Sequence, residues 1–104
     1  MANNEIVDDV VLSPVPGHEE WNLYATKDGS IFRKKERKGC VVFQEIGSRR
    51  KNDYSQCNIK NNGALLRVLV HVLIAKTFVP NPDHKPYVDH INRDRSDNRV
   101  ENLR

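Results

Sequence analysis

Apolar and polar residues alternate along much of this chain, which is the pattern of strands that bury one face. Between residues 21 and 26 large apolar side chains alternate with polar ones, Asp28-Gly29 follows as a strong signal for a tight turn, and Ser30 begins a return strand. Residues 40–46 are rich in Val and Phe and predict a further strand. The first half of the chain is therefore expected to form antiparallel β-structure.

In the second half the pattern changes from strand periodicity to helix periodicity. Residues 54–70 predict a second hairpin with its turn at residues 61–63. From His71 to Phe78 the apolar positions recur at helical spacing, and two prolines follow. We predict an α+β fold made of antiparallel β-hairpins, a short central helix near residues 71–78 and a C-terminal hairpin.

The composition describes one small domain. The chain has 104 residues, 38% of them hydrophobic, and a mean hydropathy of −0.70, values that are low for a self-sufficient core. We therefore expect a partner, a metal ion or bound nucleic acid to contribute to stability. No stretch approaches the ~20 apolar residues of a membrane span, and the acidic N-terminus lacks the apolar core of a secretion signal. These features predict a cytoplasmic protein that is not secreted and has no membrane partner.

The two cysteines, Cys40 and Cys57, are far apart in sequence. Two reduced thiols are favoured over a disulfide. A zinc site built from them with His71 and His84 would lack the close ligand pairs that zinc sites usually show, so zinc is not favoured as a cofactor.

Charge is distributed unevenly along the chain. Residues 1–20 contain five acids and no Lys or Arg, whereas residues 27–51 contain nine bases and three acids. Such a basic block can replace the counterions condensed on a phosphate backbone. The alternative is an ordinary solvated face or a mobile loop.

The last sixteen residues contain the strongest chemical pattern. Asp89 and His90 follow a short apolar run, a polar loop rich in Asp, Asn and Arg comes next, and a second short run contains Asn102. A carboxylate can bind a hard cation, and an imidazole can take a proton from water near neutral pH. Adjacent side chains on a strand point to opposite faces, so the two would diverge unless a bulge or bend brings both toward one phosphate.

This tail resembles the first half of the HNH (ββα-metal) nuclease motif, which begins Asp-His and reaches an Asn-Leu. Residues 70–82 resemble the helix that precedes the motif in phage and intron homing endonucleases, with the form Val-His-Arg-Leu-Val-Ala-x-x-Phe. Val72 stands where that family often has Arg. The hairpin around Asp28-Gly29 resembles, more loosely, a small module that often precedes such nucleases.

The resemblance implies an HNH-type DNA endonuclease or nickase that hydrolyses phosphodiester bonds in double-stranded DNA with Mg²⁺ or Mn²⁺. It implies that His90 is the general base, Asp89 a metal ligand, and Asn102 the residue that orients the imidazole. The basic side chains expected to contact DNA are Arg33, Lys34, Lys35, Arg37, Lys38, Arg49, Arg50, Lys51, Arg93, Arg95 and Arg99.

The expected organisation has three parts. Residues 1–16 are predicted to be a flexible acidic leader, residues 17–60 a β-rich basic module that contacts DNA, and residues 61–104 an HNH-like region. In the family the motif continues into a helix with the third signature residue, which would lie beyond Arg104, so we expect the motif to be incomplete here. Two alternatives stay open: a non-catalytic DNA-binding remnant, and one half of a split nuclease completed by a second polypeptide. By this resemblance, the cytoplasm in which we expect the protein is that of the host cell of a phage or mobile element.

Overall fold

An antiparallel sheet forms the N-terminal half of the protein. The structure, a computed structural model, describes residues 4–47, 54–61, 63–80 and 88–104. Five strands follow one another in the sheet in chain order. They are β1 (Glu5–Val7), β2 (Val10–Pro14), β3 (Leu23–Ala25), β4 (Ile31–Arg37) and β5 (Cys40–Ile46). A short 3-10 helix, Glu19–Trp21, connects β2 to β3. The predicted hairpin around Asp28-Gly29 is confirmed as β3 and β4, and the strand predicted at residues 40–46 is β5.

The first two strands differ from the expectation for residues 1–16. We expected a flexible acidic leader, but residues 5–14 form a hairpin whose tight turn has Asp8 and Asp9 at φ 50° and 66°. Short carboxylate side chains tolerate this left-handed conformation better than most residues do. Leu12 and Val15 are almost completely buried, so this segment belongs to the folded body of the protein.

A second hairpin leads directly into the helix. It consists of β6 (Gln56–Asn61) and β7 (Ala64–Leu69), and α1 (Val70–Phe78) follows without a loop. Among the described residues, no side chain caps the N-terminus of α1. Instead, the backbone N–H of Val70 donates to the carbonyl oxygen of Ser55 at 2.9 Å, which satisfies one of the donors left unpaired at a helix start. The predicted hairpin and the predicted helix are both confirmed.

The core lies where α1 meets the sheet and the C-terminal segment. Leu73 and Ile74 of the helix are fully buried, together with Ile31 of β4 and Ala25 of β3. Leu103 of the C-terminal segment packs in the same cluster. Each fully buried aliphatic side chain of the size of Leu or Ile contributes about 1.5–3 kcal/mol. The helix therefore anchors the C-terminal segment to the sheet.

The α+β class is confirmed, whereas the C-terminal hairpin is more irregular than predicted. Residues 88–104 contain one isolated bridge, between His90 and Leu103, and a 3-10 helix, η2 (Val100–Asn102), in place of two regular strands. Within the described residues, no helix is long and apolar enough to cross a membrane.

Candidate active site

The C-terminal segment is a closed loop whose two ends are joined by backbone hydrogen bonds. The backbone groups of Asp89 and Arg104 bond each other in both directions, at 3.0 and 3.1 Å. The N–H of Ile91 donates to the carbonyl oxygen of Asn102 at 2.8 Å. This narrow closure brings His90 next to the far end of the loop.

Asn102 holds the inside of the loop together. Its Oδ1 accepts from the backbone N–H of Asn92 at 3.0 Å, and its Nδ2 donates to Asn92 Oδ1 at 3.0 Å and to the carbonyl oxygen of Asp97 at 2.8 Å. Asn102 is buried. Its side chain thus connects the two arms of the loop in addition to the backbone hydrogen bonds between them.

The amide that contacts the imidazole is that of Asn98, where we had expected Asn102. His90 is only 5% exposed, and its Nε2 lies 3.0 Å from Oδ1 of the equally buried Asn98. An amide oxygen only accepts, so this contact requires a proton on Nε2. Nδ1 of the neutral ring then has a free lone pair. The contact with Asn98 therefore favours the tautomer with the proton on Nε2.

Two further rings, those of His71 and Tyr54, pack near the His90 imidazole. The ring of His71, from the first turn of α1, lies 4.8 Å from the His90 ring between centroids, and the ring of Tyr54 lies 5.9 Å away. Tyr54 also stacks on His71 at 5.0 Å. Burial, and to a smaller extent the nearby His90, lowers the pKa of His71 to about 4. His71 is therefore a neutral neighbour of His90 at neutral pH.

Asp89 is exposed, whereas the neighbouring His90 is buried. The Asp89 side chain is 65% exposed and forms an ion pair with Arg104 at 3.2 Å. The carboxylate is therefore accessible from solvent, and its oxygens are of the kind that Mg²⁺ and Mn²⁺ prefer. Among the described residues, no group of three or more His, Cys, Asp or Glu side chains could hold a metal ion.

Carboxylates inside the loop determine which of its arginines are available. Asp97 receives two hydrogen bonds from the Arg99 guanidinium, both at 2.8 Å, and Arg99 also pairs with Glu101 at 2.9 Å. The hydrogen bond from Arg99 is the main reason that the pKa of Asp97 falls to about 2. Arg99 is thus already paired with two acids. Arg93 is exposed, and the Arg95 guanidinium lies 5.0 Å from the Tyr54 ring centroid.

The basic residues of β4 separate onto two faces of the sheet. Because side chains alternate along a strand, Arg33, Lys35 and Arg37 share one face, and Lys34 is on the other. Lys34 Nζ lies 3.2 Å from Glu5 Oε1, and this hydrogen bond raises the pKa of Lys34. Lys38 is exposed in the turn between β4 and β5. Three further bases predicted to contact DNA lie outside the described residues: Arg49, Arg50 and Lys51.

The sequence of this loop and of the helix before it is similar to that of known proteins. Residues 68–104 match the family model described as HNH endonuclease. An HNH endonuclease of Acanthamoeba polyphaga mimivirus is 32% identical over 82 residues, which make up 79% of this chain and 23% of that protein. Over residues 68–104 the chain belongs to the HNH endonuclease family.

A solved structure shares the fold of this HNH protein. The structure, described as DNA binding and cleavage by the HNH homing endonuclease I-HmuI, superposes with a TM-score of 0.66 at 20% identity, over 89% of this chain and 50% of that one. At this identity the likeness shows the fold. The chain spans about a quarter of the viral relative and half of the solved structure.

Three site residues were missed as functional residues by sequence reasoning. They are Asn98 of the loop, His71 of α1 and Tyr54 before β6. The signal for His71 was present, because its position at the start of an apolar helix is an unusual place for a polar ring. No local pattern distinguishes Asn98 from the other amides and acids of the loop.

Proposed function

We propose that this chain is a DNA endonuclease or nickase of the HNH family that uses a divalent metal, with His90 as the general base. The observation that supports this most directly is the contact between His90 Nε2 and Asn98 Oδ1 at 3.0 Å. It pairs Nε2 with an acceptor, so that Nδ1 is the ring nitrogen that would act as the general base.

In the proposed reaction, Nδ1 of His90 removes a proton from a water molecule as its oxygen attacks the phosphorus atom. A new phosphorus–oxygen bond forms, the bond to the leaving oxygen breaks, and that oxygen takes a proton from solvent. The buried, neutral His71 and the bond to Asn98 keep the ring from rotating. Asn102 contributes by holding the loop in shape, and its catalytic importance stays a prediction.

Asp89 is the residue that would hold the metal ion. Its exposed carboxylate has the oxygen donors that suit Mg²⁺ or Mn²⁺, with water and substrate oxygens as further ligands. A bound divalent ion would stabilise the negative charge that develops on the phosphate and the leaving oxygen. The ion pair with Arg104 competes with this role.

We further propose that double-stranded DNA lies along the basic face of β4 and the arginines of the loop. Arg33, Lys35 and Arg37 share a face, and Arg93 and Arg95 lie in the loop that contains the candidate base. Lys34 and Arg99 are less available, because each is paired with a carboxylate. Nothing in the comparisons supports a second polypeptide as a partner.

The test is nicking of supercoiled plasmid in Mg²⁺ or Mn²⁺ by the wild-type protein and by His90→Ala. We expect nicking by the wild type to depend on the metal, and we expect the variant to lose activity by about 10²–10⁴-fold, the usual contribution of general base catalysis. His18→Ala, which removes a histidine outside the loop, is the control and should retain activity. Equal activity of His90→Ala and the wild type would exclude His90 as the base.

A further inference from the structure

A turn of the N-terminal sheet is tightly shaped by its own hydrogen bonds. Between β3 and β4, the N–H of Thr26 donates to the carbonyl oxygen of Ser30 at 2.9 Å, and the N–H of Gly29 donates to the carbonyl oxygen of Thr26 at 3.1 Å. The Thr26 hydroxyl accepts from the Ser30 N–H at 3.1 Å and donates to the Asp28 carboxylate. Thr26 is buried. This segment, residues 26–30, is called the buttress turn below.

The buttress turn lies directly against the backbone of the active-site loop. A Cβ atom added to Gly29 would be 2.6 Å from the carbonyl carbon of Asn98, 2.7 Å from its carbonyl oxygen and 2.9 Å from the backbone nitrogen of Arg99. Next to this contact, the N–H of Val100 donates to the carbonyl oxygen of Lys27 at 2.9 Å. Carbon atoms normally pack about 3.5–4.0 Å apart, so only glycine allows this approach.

The same residue that receives this contact also holds the imidazole. The backbone of Asn98 meets Gly29, and its side chain meets Nε2 of His90. A displacement of the Asn98 backbone therefore moves the atom that fixes the ring. Because interiors are closely packed, such a displacement is transmitted to the side chain and is not absorbed locally.

We propose that the buttress turn, with Gly29 at its centre, is a positioning element that sets the orientation of His90 through Asn98. The proposal rests on the proposed function of His90 and adds to it a requirement for a residue of the N-terminal sheet. The β-rich module would then contribute to the chemical step as well as to DNA contact.

The kinetic test compares Gly29→Ala with a matched glycine variant. Gly29 has φ +96° and Gly17 has φ +80°, so Ala is strained at both positions, but a Cβ at Gly17 meets nothing within 4 Å. We expect Gly29→Ala to lower kcat for plasmid nicking by roughly tenfold to a hundredfold, as small misplacements of catalytic groups do. KM should stay within about twofold, and Gly17→Ala should retain the wild-type kcat.

A double-mutant cycle tests whether Gly29 acts through Asn98. In an Asn98→Ala background the amide contact to the ring is already absent, so adding Gly29→Ala should change kcat by less than about threefold. A full additional loss in that background would contradict transmission through Asn98.

A measurement on the free protein separates this inference from the proposed function. Nitrogen-15 NMR of the imidazoles at pH 7.5, without DNA or metal, reports which nitrogen of His90 carries the proton. The wild type and Gly17→Ala should show the proton on Nε2, whereas Gly29→Ala should show a mixture of tautomers. If Gly29→Ala shifts the tautomer of His90 but the wild type does not nick DNA, the proposed function fails and the positioning contact stands.

Thr26→Val provides a second variant if Gly29→Ala does not fold. It removes the hydroxyl that shapes the buttress turn and adds no atom toward Asn98. It should lower kcat in the same direction, with KM unchanged, and shift the tautomer of His90. Wild-type kcat and a wild-type His90 tautomer in whichever variant folds would overturn the inference.

Discussion

The buried His71 predicts how the stability of this protein depends on pH. His71 is 5% exposed and packs against His90 and Tyr54, and burial lowers its pKa from 6.5 to about 4. The folded protein therefore keeps His71 neutral, whereas the unfolded chain takes up a proton as the pH falls through about 6.5. Above pH 6.5 His71 is neutral in both states, so the free energy of unfolding has its full value there. The free energy of unfolding then decreases progressively as the pH falls from 6.5 toward the folded pKa of about 4.

The size of the effect follows from the two pKa values. At pH 5.0 the unfolded chain with a pKa near 6.5 is almost fully protonated and the folded protein with a pKa of about 4 is mostly neutral. The linkage relation then gives a loss of about 2 kcal/mol in the free energy of unfolding between pH 7.5 and pH 5.0. Asp97, whose pKa is about 2, contributes to pH dependence only below this interval.

The assay is urea unfolding of the wild type and His71→Phe at both pH values, followed by circular dichroism. Phenylalanine keeps a ring of similar size beside Tyr54 and cannot titrate. We expect the wild type to lose about 2 kcal/mol more than His71→Phe between pH 7.5 and pH 5.0. Between pH 7.5 and pH 8.5 the two proteins should change equally, because His71 is neutral in both states there. Equal losses in the acidic interval would refute the description of His71 as a buried neutral group.

Three further predictions concern the loop and the basic face. Asn102→Ala removes three hydrogen bonds from a buried position and should lower the free energy of unfolding by about 1–3 kcal/mol in urea titrations; a smaller change than that of exposed Asn58→Ala would contradict it. Asp89→Asn should raise the Mn²⁺ concentration needed for half-maximal nicking, and an unchanged metal titration would exclude Asp89 as a ligand. Replacing Arg33, Lys35 and Arg37 by Gln should make the affinity for DNA depend less steeply on salt. The slope of log affinity against log salt should fall by roughly 0.9 for each phosphate that the protein no longer neutralises. Lys34→Gln should change this slope less, because Lys34 is already paired with Glu5.

Local periodicity was sufficient to predict most elements. The strand at residues 40–46, the two hairpin turns and the helix ending at Phe78 follow from the spacing of apolar residues and from turn composition. These signals are contained within a few residues, so they do not depend on the rest of the fold. Residues 5–14 were missed because their acids suggested a solvated leader, whereas pairing with β3 and burial of Leu12 decided the outcome.

Within the site, the sequence determined which residue types are available, and the tertiary structure decided which of them meet. The Asp-His pair and the asparagines of the loop were evident from the sequence, and their resemblance to the HNH motif indicated the family. The amide that contacts the imidazole is that of Asn98 because the closure between Asp89 and Arg104 folds the loop back on His90. The approach of Gly29 to that loop joins residues about seventy positions apart. No local pattern predicts such a contact, because it depends on how the helix and sheet pack around their shared core.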